Sequence, residues 1–256
     1  MTGELSVQWG RQQGAGAVVL WQALRDVVSE QVTRTGRSAL DVVDVGGGTG
    51  GFAVPLASLG HSVTVVDPSP DSLAAAQRRA AEAGVPLRAV QGDVSDLAAA
   101  TGGTGADLVL CHSVLEYVES PGAAMTAIAG ILRPGGVVSV LAASAVAAVI
   151  HRVLAGRFDE ARRLIAATGT EPGPPAGDQG VLPRRFTLPA VTELVERAGL
   201  RAGPGHGVRV FTDLVPSMLM DTDPGAASSL RALEETASVH PAFRGMATQF
   251  HVLGFR

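Results

Sequence analysis

The densest chemistry in the chain lies between Asp44 and Gly51, which reads Asp-Val-Gly-Gly-Gly-Thr-Gly-Gly. Glycines packed this closely admit positive φ and let a ligand lie against the main chain. Free N–H groups at the start of a following helix can then meet an anionic group. Two spacings are satisfied at once. Gly46, Gly48 and Gly51 fit the G-x-G-x-x-G of dinucleotide sites, while Asp44, Gly46, Gly48 and Gly50 fit acid-x-G-x-G-x-G. Together with Gly47 they form the expected cofactor loop, although a tight turn without a ligand uses the same glycines.

Further candidates follow the later apolar runs. Asp67 closes Ser62–Val66, and its two carboxylate oxygens can accept both hydroxyls of a ribose. Capping a helix beside Pro68 is its plain alternative. In Gly92-Asp93-Val94-Ser95-Asp96 an acid can accept from an adenine amino group and a backbone N–H can reach a ring nitrogen. Asp93 and Asp96 compete for the first role, so Asp93, Val94 and Ser95 join the cofactor set. His112 follows Asp107–Cys111, where it either acts as a base or packs against the cofactor. It is a candidate for both roles. Glu116 and Tyr117 come one helical turn later and are expected on the same cleft. Arg209 is the expected substrate anchor and second catalytic candidate, because a guanidinium holds a carboxylate or phosphate through paired hydrogen bonds. A surface strand carries such an Arg equally well. Arg157, Arg184 and Arg185 are expected at the rim or in solvent.

These residues need a scaffold that sets them side by side. Periodicity predicts helices over 11–34, 52–59, 71–83, 121–132, 145–154 and 188–198, several of them stopped by glycine. Short apolar, β-branched runs predict strands over 39–45, 62–66, 87–90, 107–111 and 137–141, the last after the turn Arg133-Pro134-Gly135-Gly136. Strands alternating with helices mean βαβ units, right-handed crossovers and a parallel sheet. Ligands in such sheets sit beyond the carboxyl ends of the strands, which is where every candidate above falls. Residues 168–183, rich in Gly and Pro, read as a loop, and 208–211 and 250–255 read as late strands, expected antiparallel. The expected fold class is α/β, a doubly wound and mostly parallel sheet with helices on both faces. One domain is expected over 1–256, with an N-terminal helical segment 1–38 and a cap or loop insertion over about 145–187.

Bulk properties narrow the chemistry. The chain has 256 residues, 46% of them hydrophobic, enough for a sizeable core. Net charge is −4, and every base is Arg because the sequence contains no Lys. No overall attraction to phosphate backbones results, although a local Arg patch can still supply one. Cys111 is the only cysteine, which excludes an intrachain disulfide and a multi-thiolate metal site. No metal is expected. Residues 1–10 lack a signal-peptide pattern, and apolar stretches break well short of roughly 18 residues, so no membrane is expected and the cytoplasm is the expected compartment.

Acids after the first three strands, glycines after the first, and Leu132-Arg133-Pro134-Gly135-Gly136 before the fifth resemble class I S-adenosylmethionine methyltransferases. That family implies a Rossmann-like fold and S-adenosylmethionine as cofactor, with S-adenosylhomocysteine as product. One subfamily is more similar still. Leu20-Trp21-Gln22, His112–Val118, Leu154–Asp159, Gly207–Phe211, Leu233-Glu234 and His251-Val252 resemble the tRNA 5-carboxymethoxyuridine methyltransferases. The resemblance implies cofactor contacts at Gly46, Gly47, Asp67, Val94, Ser95 and His112, and esterification of a carboxylate on a wobble uridine. The family holds the methionine carboxylate with an Arg upstream of the Trp. Here that place is Gly16, with Arg11 further upstream.

Methyl transfer from a sulfonium mainly requires alignment and exclusion of water. A carboxylate acceptor needs no base, whereas a hydroxyl or amine calls for one, and His112 is the candidate. Three acceptor or activity classes follow: a small carboxylic acid or related acceptor, a modified tRNA, and a nicotinamide oxidoreductase. The Pro-Gly-Gly turn and the impossibility of Tyr-x-x-x-Lys disfavour the last. A non-catalytic cofactor-binding protein is a fourth reading. Expected partners are thus a small molecule or a modified tRNA.

Overall fold

The computed structural model describes residues 17–103, 105–168, 183–216, 218–219 and 225–256. Seven strands form one sheet: β1 (Asp41–Val45), β2 (Ser62–Asp67), β3 (Arg88–Gln91), β4 (Ala106–His112), β5 (Leu132–Ala143), β6 (Arg201–Val208) and β7 (Gln249–Phe255). Their order is β3-β2-β1-β4-β5-β7-β6. The pairs among β1–β5 are parallel, and β7 is antiparallel to both β5 and β6. Two antiparallel steps restore direction, so β6 ends on the same edge as β1–β5.

The helices are α1 (Ala17–Thr35), α2 (Ala53–Ser58), α3 (Pro70–Glu82), α4 (Leu97–Ala100), α5 (Pro121–Ile131), α6 (Ala145–Leu154), α7 (Phe158–Ala167), α8 (Leu188–Arg197) and α9 (Ala226–Val239). Several begin on a side-chain cap followed by Pro. Ser69 accepts from the Ser72 N–H before Pro70, Ser120 from Ala123 before Pro121, and Thr187 from Ala190 before Pro189.

Strand side chains alternate between two cores. Val42, Leu108, Leu110, Val137, Leu141 and Leu253 pack with Leu20, Trp21 and Leu24 of α1 and with Leu56 of α2. Val43, Val109, Cys111, Val138, Val140 and Val252 pack with Met125 and Ile128 of α5 and Val191 and Val195 of α8. Burial on both faces is why β4 is apolar from Leu108 to Cys111.

The predicted elements of the first five βα units form near their expected bounds, except that β5 begins at Leu132 and takes in the residues of the expected turn Arg133–Gly136, with an irregular register there. Residues 11–16 of the predicted first helix, and most of the predicted loop 168–183, lie outside the described residues. The predicted strand 208–211 is a correction: β6 runs from Arg201 and stops at Val208, and Arg209 turns at φ 60°. Glu234 of α9 accepts the N–H groups of Val210, Phe211 and Thr212, which leaves them nothing to donate to a ladder. Conversely, Arg-Ala-Gly-Pro-Gly-His-Gly-Val carries little intrinsic strand preference and pairs because β7 supplies partners, with a register shift between Ala202 and Gly205. Helices α4, α7 and α9 are additions to the predicted set.

Candidate active site

The glycine turn follows directly from β1. Gly46 donates to the Val66 carbonyl at 2.7 Å and Gly50 to the Gly47 carbonyl at 2.9 Å, closing the turn. Gly46, Gly48 and Gly50 have φ of 62°, 53° and 77°, a region other residues enter at a cost. A Cβ on Gly46 would lie 2.6 Å from Val114, and one on Gly47 2.6 Å from the Asp44 carboxyl carbon. Gly50 abuts Ala76 and Val54, whereas a Cβ at Gly51 meets nothing within 4 Å. The third glycine of the dinucleotide fingerprint serves close helix packing. Here that service falls to Gly50, so the geometry follows the acid-x-G-x-G-x-G spacing.

Two carboxylates lie beneath and beside this turn. Asp67, buried at the end of β2, accepts the Gly48 N–H and the Ser69 N–H, each at 2.9 Å, through different oxygens. Ser69 is therefore the helix cap, and each Asp67 oxygen keeps acceptor capacity for a sugar hydroxyl. Asp44 is 2% exposed, and one of its oxygens has no partner among the described residues. Burial, reinforced by the charge of Asp67, pushes its pKa up from 3.8 to about 7.

After β3, both competing acids are engaged in the loop itself. Asp93 accepts from the Ser95 N–H and hydroxyl, each at 2.6 Å, and Asp96 accepts from the Asp93 N–H at 3.2 Å. These bonds form a capping box and hold Asp93 below the usual carboxylate range. The half-buried Val94 packs on the core beside them.

At the end of β4, the His112 ring stands edge-on to Phe52 at 4.7 Å, and Nε2 is 2.8 Å from the Ser139 hydroxyl. Its Nδ1 has no partner among the described residues. Burial pushes its pKa down to about 3. The ring is therefore neutral and a weak base at physiological pH. Ser113 then turns at φ 56°, with its hydroxyl meeting the Gln249 amide at 3.2 Å. Glu116 and Tyr117, expected together on the cleft, separate. Glu116 is buried and accepts from the Ala143 N–H at 2.6 Å, while Tyr117 is 66% exposed. Burial raises the Glu116 pKa.

Arg209 lies just past β6, on the same edge as the glycine turn. Its guanidinium binds Asp213, Nε at 3.1 Å, and Asp213 also accepts from the Thr248 hydroxyl at 2.6 Å. Of the other rim candidates, Arg157 pairs with Glu160. Arg184 is buried and donates to the Val118 and Glu119 carbonyls, so it braces the β4–α5 connection. Arg185 remains exposed.

With this arrangement in view, the similarity to known proteins is specific. The sequence profile of the family described as "Methyltransferase domain" matches residues 43–140. The tRNA 5-carboxymethoxyuridine methyltransferase of Escherichia coli strain K12 is 33% identical over 199 residues, covering 76% of this chain and 71% of that one. The chain belongs to the S-adenosylmethionine-dependent methyltransferases. A ubiquinone biosynthesis O-methyltransferase of Methylobacterium nodulans is 34% identical, covering 79% of this chain and 78% of its own. In fold, the methyltransferase resembles magnesium protoporphyrin IX methyltransferase from Synechocystis PCC 6803, with a TM-score of 0.57, 15% identity, and coverage of 94% and 85% of the two chains.

The cradle fits the cofactor. Two glycines leave main chain where a side chain would collide, Asp67 keeps capacity for ribose hydroxyls, and Asp44 offers an unpartnered buried oxygen. Gly16, which stands where the resemblance implies an Arg for the methionine carboxylate, and Arg11 upstream of it lie outside the described residues. Among the described residues no cluster of His, Cys, Asp or Glu suits a metal ion, and no helix is long and apolar enough to cross a membrane. Ser139, His251 and Glu234 are structural partners of the site that residue-by-residue reading does not assign. His251 and Glu234 enter from the sequence only as pieces of the family resemblance, and Ser139 carries no sequence signal at all.

Proposed function

We propose that this methyltransferase O-methylates a carboxylate. The observation that carries the reading is the state of His112: a buried, neutral imidazole whose pKa is pushed down to about 3 does little as a general base. An acceptor that is already anionic needs none. S-adenosylmethionine, when bound, supplies a methyl group on a sulfonium. The chain's contribution is alignment and exclusion of water. In this reading Gly46, Gly47, Gly48 and Gly50 pass main chain close to the cofactor, and Asp67 accepts its ribose hydroxyls. Val94 and Ser95 flank the adenine, Asp44 faces its cationic part, and His112 lines the reacting end.

The acceptor side is basic. A cavity of about 100 Å³ beside the end of β5 is lined, among the described residues, by Ser144, His151, Arg152, Arg185 and Thr248, with Arg152 also paired to Glu160 at 2.9 Å. Most of this lining comes from the insertion we assign to about 145–187, while Thr248 comes from just before β7 and donates its N–H to the Arg209 carbonyl. Within this reading, Arg209 turns from Asp213 to an acceptor carboxylate.

The E. coli relative's name supports a carboxymethoxy group on a tRNA uridine as one source of the carboxylate. The net charge of −4 and the absence of Lys support a small acid as the other. The test is transfer of labelled methyl from S-adenosylmethionine to a panel of small carboxylic acids and to tRNA with or without 5-carboxymethoxyuridine. A methyl ester releases labelled methanol in mild base. Label stable to base would sink the carboxylate reading, and label on tRNA alone would select that source.

A further inference from the structure

Four polar side chains line up on one face of the sheet, inside the core. His112 of β4 sits opposite Leu141 of β5, Leu141 opposite His251 of β7, and His251 opposite His206 of β6. Ser139, two residues before Leu141 on the same face, reaches both neighbours. Its hydroxyl is 2.8 Å from His112 Nε2 and 2.9 Å from His251 Nε2. The His206 ring stacks on that of His251 at 5.9 Å. Ser139 and His251 are fully buried.

A serine hydroxyl has one proton. It can donate to only one of two imidazole nitrogens, so the other must donate to it. Both rings are held neutral by burial, and each therefore carries one N–H. It follows that the two histidines have opposite tautomers. In the first arrangement His251 donates from Nε2 to Ser139, Ser139 donates to His112 Nε2, and His112 carries its proton on Nδ1. In the second, every bond reverses, and His251 carries a proton on Nδ1. That atom is buried and has no partner among the described residues. His112 Nδ1 is likewise buried and without a partner among the described residues, so each arrangement leaves one unpartnered N–H; the first leaves it at the ligand edge, where an acceptor can reach it, and is favoured on that ground. There the unpartnered donor is His112 Nδ1, on the residue that ends β4 at the ligand edge.

We infer that Ser139 and His251 are positioning residues that fix His112 as the Nδ1–H tautomer, so that it presents a hydrogen-bond donor to an acceptor oxygen of the bound ligands. That the two rings are opposite tautomers stands on the core geometry, while the choice of His112 as the Nδ1–H ring, like the ligand oxygen, rests on the methyltransferase reading. A donor there suits a carboxylate nucleophile, which it orients without moving a proton. It is also the less common form of a free neutral histidine, so without the network His112 would place its proton mainly on Nε2.

The test is nitrogen-15 NMR of the full chain labelled at histidine, with signals assigned from single His→Gln variants. His112 is expected protonated on Nδ1 and His251 on Nε2. Ser139→Ala should move His112 toward the Nε2–H form, and Ser139→Thr, which keeps a hydroxyl, should restore the wild-type pattern. His112 protonated on Nε2 in the wild type, or both rings in the same form, would overturn the inference. So would an unchanged His112 signal in Ser139→Ala. Should Ser139→Ala not fold, His251→Leu removes the donor from the other side, and His112 should again lose its Nδ1–H preference. No methyl acceptor enters these spectra, so the tautomers they report stand even if the chain methylates no carboxylate.

Discussion

Replacing Asp44 by Asn should remove a pH dependence from S-adenosylmethionine binding. The carboxyl is buried beneath the glycine turn and titrates near pH 7 in the free protein, against 3.8 in an open chain. Burial is the main cause and the charge of Asp67 the next. The cofactor carries a sulfonium and an ammonium, so it is expected to bind the ionised form. At pH 6 only about a tenth of the molecules carry that charge; at pH 8 about nine-tenths do. Affinity should therefore be roughly tenfold weaker at pH 6 than at pH 8, about 1.4 kcal/mol. Calorimetric titration in two buffers of different ionisation enthalpy should also show nearly one proton released per site at pH 6 and almost none at pH 8. Stability moves the opposite way. A carboxyl whose folded pKa is raised contributes stability present below pH 3.8 and lost as pH rises through about 7, on the order of 4 kcal/mol in all. Asp44→Asn, which stays neutral, should then melt several degrees higher than wild type at pH 8. A wild-type Kd that is flat from pH 6 to 8 would overturn this expectation, since it would place the cofactor outside the field of Asp44 or the carboxyl outside that titration range.

Gly47→Ala should weaken cofactor binding about tenfold or more while the chain still folds, because the new Cβ lies 2.6 Å from the Asp44 carboxyl and must displace it. Titration calorimetry alongside a melting curve separates the two effects. Glu234→Gln keeps one oxygen for the Phe211 and Thr212 N–H groups and the Thr212 hydroxyl but turns an amide NH2, a donor, against the Val210 N–H. It should cost about 1–3 kcal/mol by chemical denaturation and raise KM for the acceptor, through loosening of the Arg209 turn, with the S-adenosylmethionine Kd unchanged. Cys111 is fully buried, and burial raises its thiol pKa, so a thiol reagent should label it only after denaturant is added. Labelling of the native chain at pH 7 would contradict its place in the core.

The βα alternation and the loop chemistry are legible in the order of the residues alone. Both are local: β1, β2 and β4 are β-branched or apolar because they are covered on both faces, and a turn at φ 62° calls for Gly46 whatever lies around it. For the same reason the candidate residues just after the strands, from Asp44 to His112, could be picked out from the chain alone. Tertiary structure decided what depends on partners far along the chain. Gly51 and Gly50 look alike in sequence, yet only Gly50 meets Ala76. Tyr117 and Glu116 are adjacent, yet Glu116 is drawn inward by Ala143. Strand β6 exists because β7 pairs with it, and it ends where Glu234 takes the next three N–H groups. Ser139 is an ordinary position inside a strand until folding sets it between two histidines, His112 lying 27 residues before it and His251 112 residues after. Hydrogen bonds across such separations leave no periodicity to read, because what selects each partner is the register of the sheet rather than its neighbours in the chain.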